Sequence, residues 1–536
     1  MLNTLQATHG MAVAPHALAA QAGLGILQDG GTALEAAVGM AAALSVLYPH
    51  MTGIGGDSFW VVAAPGEAVT TIDACGRTPA ALDSDYYRQR GLGAVPIRGP
   101  HAANTVAGTL SGWHAALELS RYWGGRLPLS RLLEEAIGYA DSGYEVSASQ
   151  ARCTARKCDE LRDEPGFADV YLPSGRAPGV GATLRQPALG QTLGRLAGAG
   201  IDDFYRGELA AAVAADLAVV GSPVALEDLQ AQRALTGAPL ALSLGGHLPA
   251  GMLYSTAPPT QGIVTLLILG QFANHSDALP PVDSPDYVHL LVEATKQAFP
   301  VRDRMVCDPQ DMAGVDLGAL LEHAALAERA GAIDMHEAAP WGEAGDPGDT
   351  TWFGVIDGEG RAVSCIQSLY HEFGSGVVLP TTGICWQNRG SSFSLDPDHP
   401  RYLRPNRKPF HTLCPSLARF DDGRVMPFGT MGGDGQPQTQ AAVFTRYAAY
   451  GQSLQEAVSA PRWLLGRTWG ASSDNLKLEG RFGAHFAQTL ADRGHAVETV
   501  ADYDEMMGHA GALVLRPDGV IEGAADPRSD GAAVGY

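Results

Sequence analysis

The pair Thr350-Thr351, within Gly348-Asp349-Thr350-Thr351-Trp352-Phe353, places a hydroxyl nucleophile where a turn-rich run meets an apolar one. A threonine hydroxyl there can attack the peptide bond that precedes it. The threonine freed by that cut carries its own base, the α-amine, beside its own nucleophile. Such chemistry makes a self-activating amide hydrolase. Two neighbouring threonines ordinarily reflect only β-propensity, so context decides. Residues 342–349 read Gly-Glu-Ala-Gly-Asp-Pro-Gly-Asp, turn formers without an apolar face.

The elements around the pair suit that role. Thr350–Ile356 and Arg361–Leu369 are apolar, β-branched runs separated by Asp357-Gly358-Glu359-Gly360, a strong hairpin signal. The candidate nucleophile therefore lies where a loop joins a strand. Upstream, Thr32-x-x-Glu35 is a capping box that predicts a helix to about Leu47. Pro15 opens an earlier helix that ends at Gly30-Gly31. Ser58–Ala64 and Thr70–Ile72 read as strands, and residues 108–140 and 186–232 as helical. Ser284-Pro285 starts a helix to about Phe299. After Thr350 come β runs, helices near 453–459 and 483–493, and a closing strand at 512–516. Strands between helices predict an α/β (α+β) fold of four αββα layers. Residues 337–349 form the one linker-like segment.

Composition narrows the function. The 536 residues carry a formal net charge of -22, a field that repels nucleic acid and anionic membranes. Neither is an expected partner. The seven cysteines are scattered with no C-x-x-C pair, which fits neither a disulfide framework nor a zinc site and suits a reducing cytoplasm. MLNTLQATHGMAVAPH has neither a charged n-region nor an apolar h-region, so a cytoplasmic enzyme is expected. G-x-S-x-G, H-E-x-x-H, a Walker lysine and a dinucleotide fingerprint are all missing from the sequence. No cofactor or metal is expected.

Several motifs, in order, resemble the γ-glutamyltransferases, which are N-terminal-nucleophile hydrolases. They are Gly30-Gly31-Thr32-Ala33, Gly53-Ile54-Gly55-Gly56-Asp57, Arg98 with Val106-Ala107-Gly108, and Pro258-Pro259 with Gly262. Further on come Thr350-Thr351, Phe373-Gly374-Ser375-Gly376, Met431-Gly432-Gly433, and Asp526-Pro527-Arg528 with Gly535-Tyr536. The resemblance implies cleavage between Asp349 and Thr350. Residues 1–349 then become a large subunit and 350–536 a small one, associated as a heterodimer, with further pairing left open. Thr350 is implied as nucleophile, Ser368 as the hydroxyl bonded to its amine, and Thr351 as an orienting neighbour. Gly432 and Gly433 are implied as oxyanion donors, and Arg98 as the grip on a substrate carboxylate.

Departures from the family pattern bear on substrate. Ser392 stands where γ-glutamyl enzymes use an acidic residue for the α-ammonium. Tyr370 replaces an asparagine, His411-Thr412 replaces a Ser-Ser pair, and Arg389 adds a second cation. These features, with Tyr370-His371-Glu372-Phe373, resemble the branch containing oxamate amidohydrolase. They imply a small anionic amide such as oxamate as substrate. The alternatives are a glutathione hydrolase or γ-glutamyl transferase, and an uncleaved binding protein without activity.

Overall fold

The computed structural model describes residues 3–275, 278–341, 349–466 and 473–536, with only the backbone of Asp349. Residues 342–348 of the linker-like segment, and the Asp349 side chain, lie outside the described residues. The predicted hairpin forms from strands Asp349–Asp357 and Ala362–Tyr370. Asp357 fixes its turn. Its Oδ1 accepts the N–H groups of Glu359 and Arg361, and its Oδ2 accepts Arg361 Nε and Ala33 N. The last bond ties the turn to the first residue of helix Ala33–Leu47, which keeps its Thr32/Glu35 capping box.

The hairpin lies at the centre of a seven-stranded antiparallel sheet. Strand Asp349–Asp357 pairs with Gly10–Ala14 on one edge and with Ala362–Tyr370 on the other. Ala362–Tyr370 pairs onward with Asp57–Ala63. A second seven-stranded sheet contains Leu240–Leu244, Gly251–Ser255, Ser416–Phe420, Val425–Gly429, Gly511–Leu515, Ile521–Ala525 and Leu5–Ala7. Three apolar clusters show the four layers. Phe353, Val355, Val363 and Trp60 face helices such as Ala33–Leu47. On the opposite face, Trp352, Ile356, Ile366 and Phe59 meet Leu417 and Leu513 of the second sheet. Phe428, Ala512 and Val514 then face an outer helix layer that includes Gly262–Ala273. Both faces of each sheet are thus covered, and the alternating side chains of one strand serve two different cores. This is the expected αββα arrangement.

Two sequence expectations are corrected, and one helix is added. Helix Pro285–Met305 continues beyond Phe299 through Pro300. Proline costs that helix one backbone donor, and burial of Val301 and Arg302 carries it onward. Strand Gly511–Leu515 does not close the chain, because Ile521–Ala525 and Ala532–Gly535 follow it into the two sheets. Helix Ala148–Leu161 was not anticipated, since its composition is strongly polar.

Trp352 lies two residues after the candidate nucleophile, between the sheets. Its indole donates to Ser364 Oγ at 2.9 Å and lies so close to Gly429 that a Cβ there would meet the ring at 2.2 Å. We expect Trp352→Ala to lower stability by roughly 3–5 kcal/mol in urea titration, as for other buried tryptophans, and Trp352→Phe to cost less.

Candidate active site

Thr350 is fully buried at the head of the central strand. The pairing register slips beside it: Asp349 opposes Tyr370, but Thr351 opposes Gln367. The return strand therefore places two residues, Ser368 and Leu369, against Thr350 alone. This bulge re-aims the Ser368 side chain. Ser368 Oγ accepts the Tyr370 N–H at 2.8 Å, and Tyr370 has φ of 85°, a left-handed conformation that side chains other than glycine adopt reluctantly.

Arg389 is brought to the same place. Its guanidinium donates to Ser368 Oγ at 3.2 Å and to Thr412 Oγ1 at 3.4 Å, and lies 3.9 Å from the centre of the Tyr370 ring. Arg389 is completely buried, and burial pulls its pKa down to about 10. Among the described residues no carboxylate lies within ion-pair distance of it. Arg98 is held by other partners. It donates to Glu160 and to the carbonyls of Glu372 and Gly374, and pairs with the Glu372 carboxylate at 3.5 Å. Glu372, in the Tyr370–Phe373 motif, is thus an anchor for Arg98. Ser392 Oγ donates to the carbonyls of Arg389 and Phe410, so it braces the loop that carries Arg389.

The glycine loop follows strand Val425–Gly429. Gly432 and Gly433 have φ of 116° and 52°, which glycine adopts without strain. Gln261 ties this loop to the segment that carries Thr412. Its Nε2 donates to both the Thr412 carbonyl at 2.7 Å and the Gly433 carbonyl at 2.9 Å. Its Oε1 accepts from Arg302, which also pairs with Asp434 at 2.8 Å. Gln436, opening the next helix, donates from Nε2 to Thr350 Oγ1 at 3.1 Å. Sequence reasoning missed Gln261, Arg302 and Gln436. A lone glutamine or arginine in or beside a helix has no spacing that sets it apart.

A polar cluster adjoins Thr412. His411 Nε2 lies 3.1 Å from Asp57 Oδ2 and 3.1 Å from Cys75 Sγ. Asp57 Oδ1 accepts from the N–H groups of Gly76 and Gly108 and from Gln387. Burial pushes Asp57 up to about 7 against the pull of those donors and of Arg389. Burial also drives His411 well below its ordinary range, assisted by Arg389 and Lys408. Asp57, Cys75 and His411 could in geometry hold a metal ion, as could His289, Glu293 and His495. In both sets the donor atoms are engaged with one another or with protein groups. His289 bonds His495 and the Asp334 carbonyl, and Glu293 pairs with Lys296.

A threonine heading a central strand, between two helix-covered sheets and beside a glycine loop, defines an amide hydrolase of the N-terminal-nucleophile class. The sequence profile of gamma-glutamyltranspeptidase matches residues 19–536, and the chain belongs to that family. It is 55% identical over 532 residues to the oxamate amidohydrolase proenzyme of Klebsiella pneumoniae, covering 99% of each chain. It is 42% identical to the glutathione hydrolase-like YwrD proenzyme of Bacillus subtilis, covering 98% of each. The crystal structure of cephalosporin acylase from Bacillus halodurans superposes with a TM-score of 0.91 at 33% identity, covering 100% of this chain and 97% of that one.

Asp57 gives a pH test. Its pKa is higher in the folded chain, about 7, than the ordinary 3.8, so the folded state binds the extra proton between those values. Its contribution to stability is therefore complete below the lower value and lost as pH rises through the upper one. Asp57→Asn keeps an oxygen for Gly76 and Gly108. We expect it to flatten the decline of Tm between about pH 4 and pH 7.

Proposed function

We propose that this chain cuts itself between Asp349 and Thr350 and then hydrolyses a small amide bearing a carboxylate, of the oxamate type. The observation that carries this reading is Arg389, a fully buried cation next to Ser368 and stacked on Tyr370. A buried charge without a counter-charge is costly. A substrate carboxylate bound against Arg389 and Thr412 would neutralise it and set the adjoining carbonyl near Thr350. The name of the Klebsiella relative supports the same substrate class. Arg98 is the second cation for a carboxylate, available once it yields part of its contact with Glu160 or Glu372. We also infer a cytoplasmic setting, supported by seven buried cysteines, none of them in a disulfide. Among the described residues no helix is long and apolar enough to cross a membrane.

In the first reaction Thr350 Oγ1 attacks the Asp349 carbonyl, the C–N bond breaks to free the Thr350 amine and leave an ester on Oγ1, and water then hydrolyses that ester to release the Asp349 carboxylate and restore the hydroxyl. Asp349 then leaves its pairing with Tyr370, which opens a path to the nucleophile. In turnover the amine takes the hydroxyl proton while Oγ1 adds to the substrate carbonyl. The Gly432 and Gly433 N–H groups receive the oxyanion; such a donor is typically worth roughly 3 kcal/mol. The amide nitrogen departs as ammonia with that proton, and water hydrolyses the acyl-enzyme. The pieces 1–349 and 350–536 remain a heterodimer, because each sheet contains strands from both.

N-terminal sequencing of the smaller fragment should read Thr-Thr-Trp-Phe, and Thr350→Ala should remain one chain of 56.0 kDa. A different first residue would remove Thr350 from the nucleophile role.

For substrate, purified protein should release ammonia from oxamate faster than glutamate from glutathione. Ser392 offers no negative charge to an α-ammonium, and an unpaired ammonium in a dry pocket is heavily penalised. Arg389→Met should lower kcat/KM on oxamate by at least about 30-fold, equivalent to roughly 2 kcal/mol. Ser392→Asp with Tyr370→Asn should shift preference toward γ-glutamyl amides. Efficient glutathione hydrolysis by the unaltered protein, with oxamate ignored, would overturn the substrate assignment.

A further inference from the structure

Gln436 is the first residue of helix Gln436–Ala448, directly after the turn Gly433–Gly435, and is completely buried. The two ends of its carboxamide face different groups. Oε1 lies 3.2 Å from the backbone N–H of Cys414 and 3.4 Å from the Cys414 thiol. A backbone N–H can only donate, so the end facing it must be the carbonyl oxygen. The amide orientation is thereby settled by chemistry, and the opposite end, 3.1 Å from Thr350 Oγ1, is the NH2 group. Thr350 Oγ1 is the acceptor in that bond.

We propose that Gln436 is a catalytic residue that acts directly on Thr350 Oγ1. The inference rests on the reading of Thr350 as nucleophile. A threonine hydroxyl has one hydrogen and two lone pairs. The Gln436 N–H occupies one lone pair and fixes the rotation of the hydroxyl. The other lone pair forms the new bond to the substrate carbonyl, and the hydrogen passes to the α-amine. When the acyl-enzyme breaks down, the C–Oγ bond breaks and its electron pair returns to Oγ1. The same N–H stabilises that oxygen until the α-ammonium returns the proton. Gln436 itself neither gains nor loses a proton. Its placement is rigid: the Cys414 backbone holds the far oxygen, and the helix start holds the main chain next to the Gly432-Gly433 loop. Nucleophile and oxyanion donors are thus set by one continuous stretch of chain.

The test compares Gln436→Glu and Gln436→Met. Glutamate keeps the side-chain length and the oxygen for Cys414 but replaces the donor with an acceptor. Methionine keeps the volume and removes both. Each protein is checked by thermal melting and by N-terminal sequencing of its smaller fragment, then assayed for ammonia release from oxamate across pH. We expect kcat to fall roughly 10- to 100-fold in both, in line with loss of a preorganised donor, with KM changing less than about threefold. In Gln436→Glu the carboxylate beside the α-ammonium should also move the acid limb of kcat/KM to higher pH. A merely structural glutamine would not move that limb. A variant that melts like the unaltered protein yet stays uncut also supports the contact, because self-cleavage uses the same oxygen. The proposal is overturned if Gln436→Glu matures with Thr350 at its N-terminus and keeps full kcat and an unshifted limb. A fragment that begins elsewhere sinks the Thr350 reading instead, so the two failures are distinguishable.

Discussion

The slipped register opposite Thr350 is the constraint on which the site depends. An unbroken antiparallel ladder would place one return-strand residue against Thr350 and alternate side chains strictly between the two faces. The extra residue breaks that alternation at Ser368-Leu369. It lets Ser368 Oγ turn onto the Tyr370 N–H and receive Arg389. Tyr370 enters the left-handed region as a result, and its ring becomes the platform under the guanidinium. Such a conformation costs of order 1–3 kcal/mol in an ordinary residue and persists only where the surroundings impose it. Here the bond from its N–H to Ser368 Oγ holds it, and the strand Asp57–Ala63 holds Ser368. Ser368 pairs with Asp57, and a Cβ on Gly56 would meet the Ser368 carbonyl at 2.0 Å, so no bulkier backbone neighbour fits.

The electrostatics follow from that geometry. Arg389 cannot retreat to solvent, because Tyr370 covers it and Ser392 ties its loop to the Phe410 carbonyl. Asp57 feels Arg389 but lies beyond ion-pair distance, and its own oxygens already serve Gly76, Gly108, Gln387 and His411. Burial favours the neutral forms of both Asp57 and His411. Asp57 and His411 are thus less able to compensate the cation, which on the proposed reading of Arg389 would favour an anionic guest over a zwitterionic one. A γ-glutamyl group would bring an ammonium as well as a carboxylate. Arg389 repels the first, and Ser392 does not attract it.

Much of this was legible in the sequence where a signal is local. Asp357-Gly358 marked the hairpin, Thr32 and Glu35 marked the helix that packs on it, and the turn formers before Thr350 marked the candidate cut. Gly432-Gly433 was legible as a loop with unusual backbone needs. The bulge was not, because Gln367-Ser368-Leu369-Tyr370 alternates like any half-polar strand. Nor was the difference between the two arginines. Arg98 and Arg389 both sit among turn formers, and only the fold decides that Glu160 and Glu372 claim the first. The strands Ile521–Ala525 and Ala532–Gly535 escaped notice because alanine and glycine carry little β signal. Gln261 and Gln436 are set by pairings between distant segments.

The position of the proposed cut within the ladder explains how one chain can be both precursor and enzyme. Strand Asp349–Asp357 joins Gly10–Ala14 only from Gly354 onward, so its first residues are paired on the return-strand side alone. Cutting before Thr350 removes a single residue from one edge and leaves the register of every later residue fixed. The apolar anchors come immediately afterwards: Trp352 between the sheets and Phe353 under the helices. An N-terminus at Thr350 would therefore be held two residues from a packed core. Its amine can lie beside Oγ1 without the mobility expected of a chain end. The fold would thus supply the proposed nucleophile's rigidity from packing that exists before the cut, and the proposed cut would supply the base.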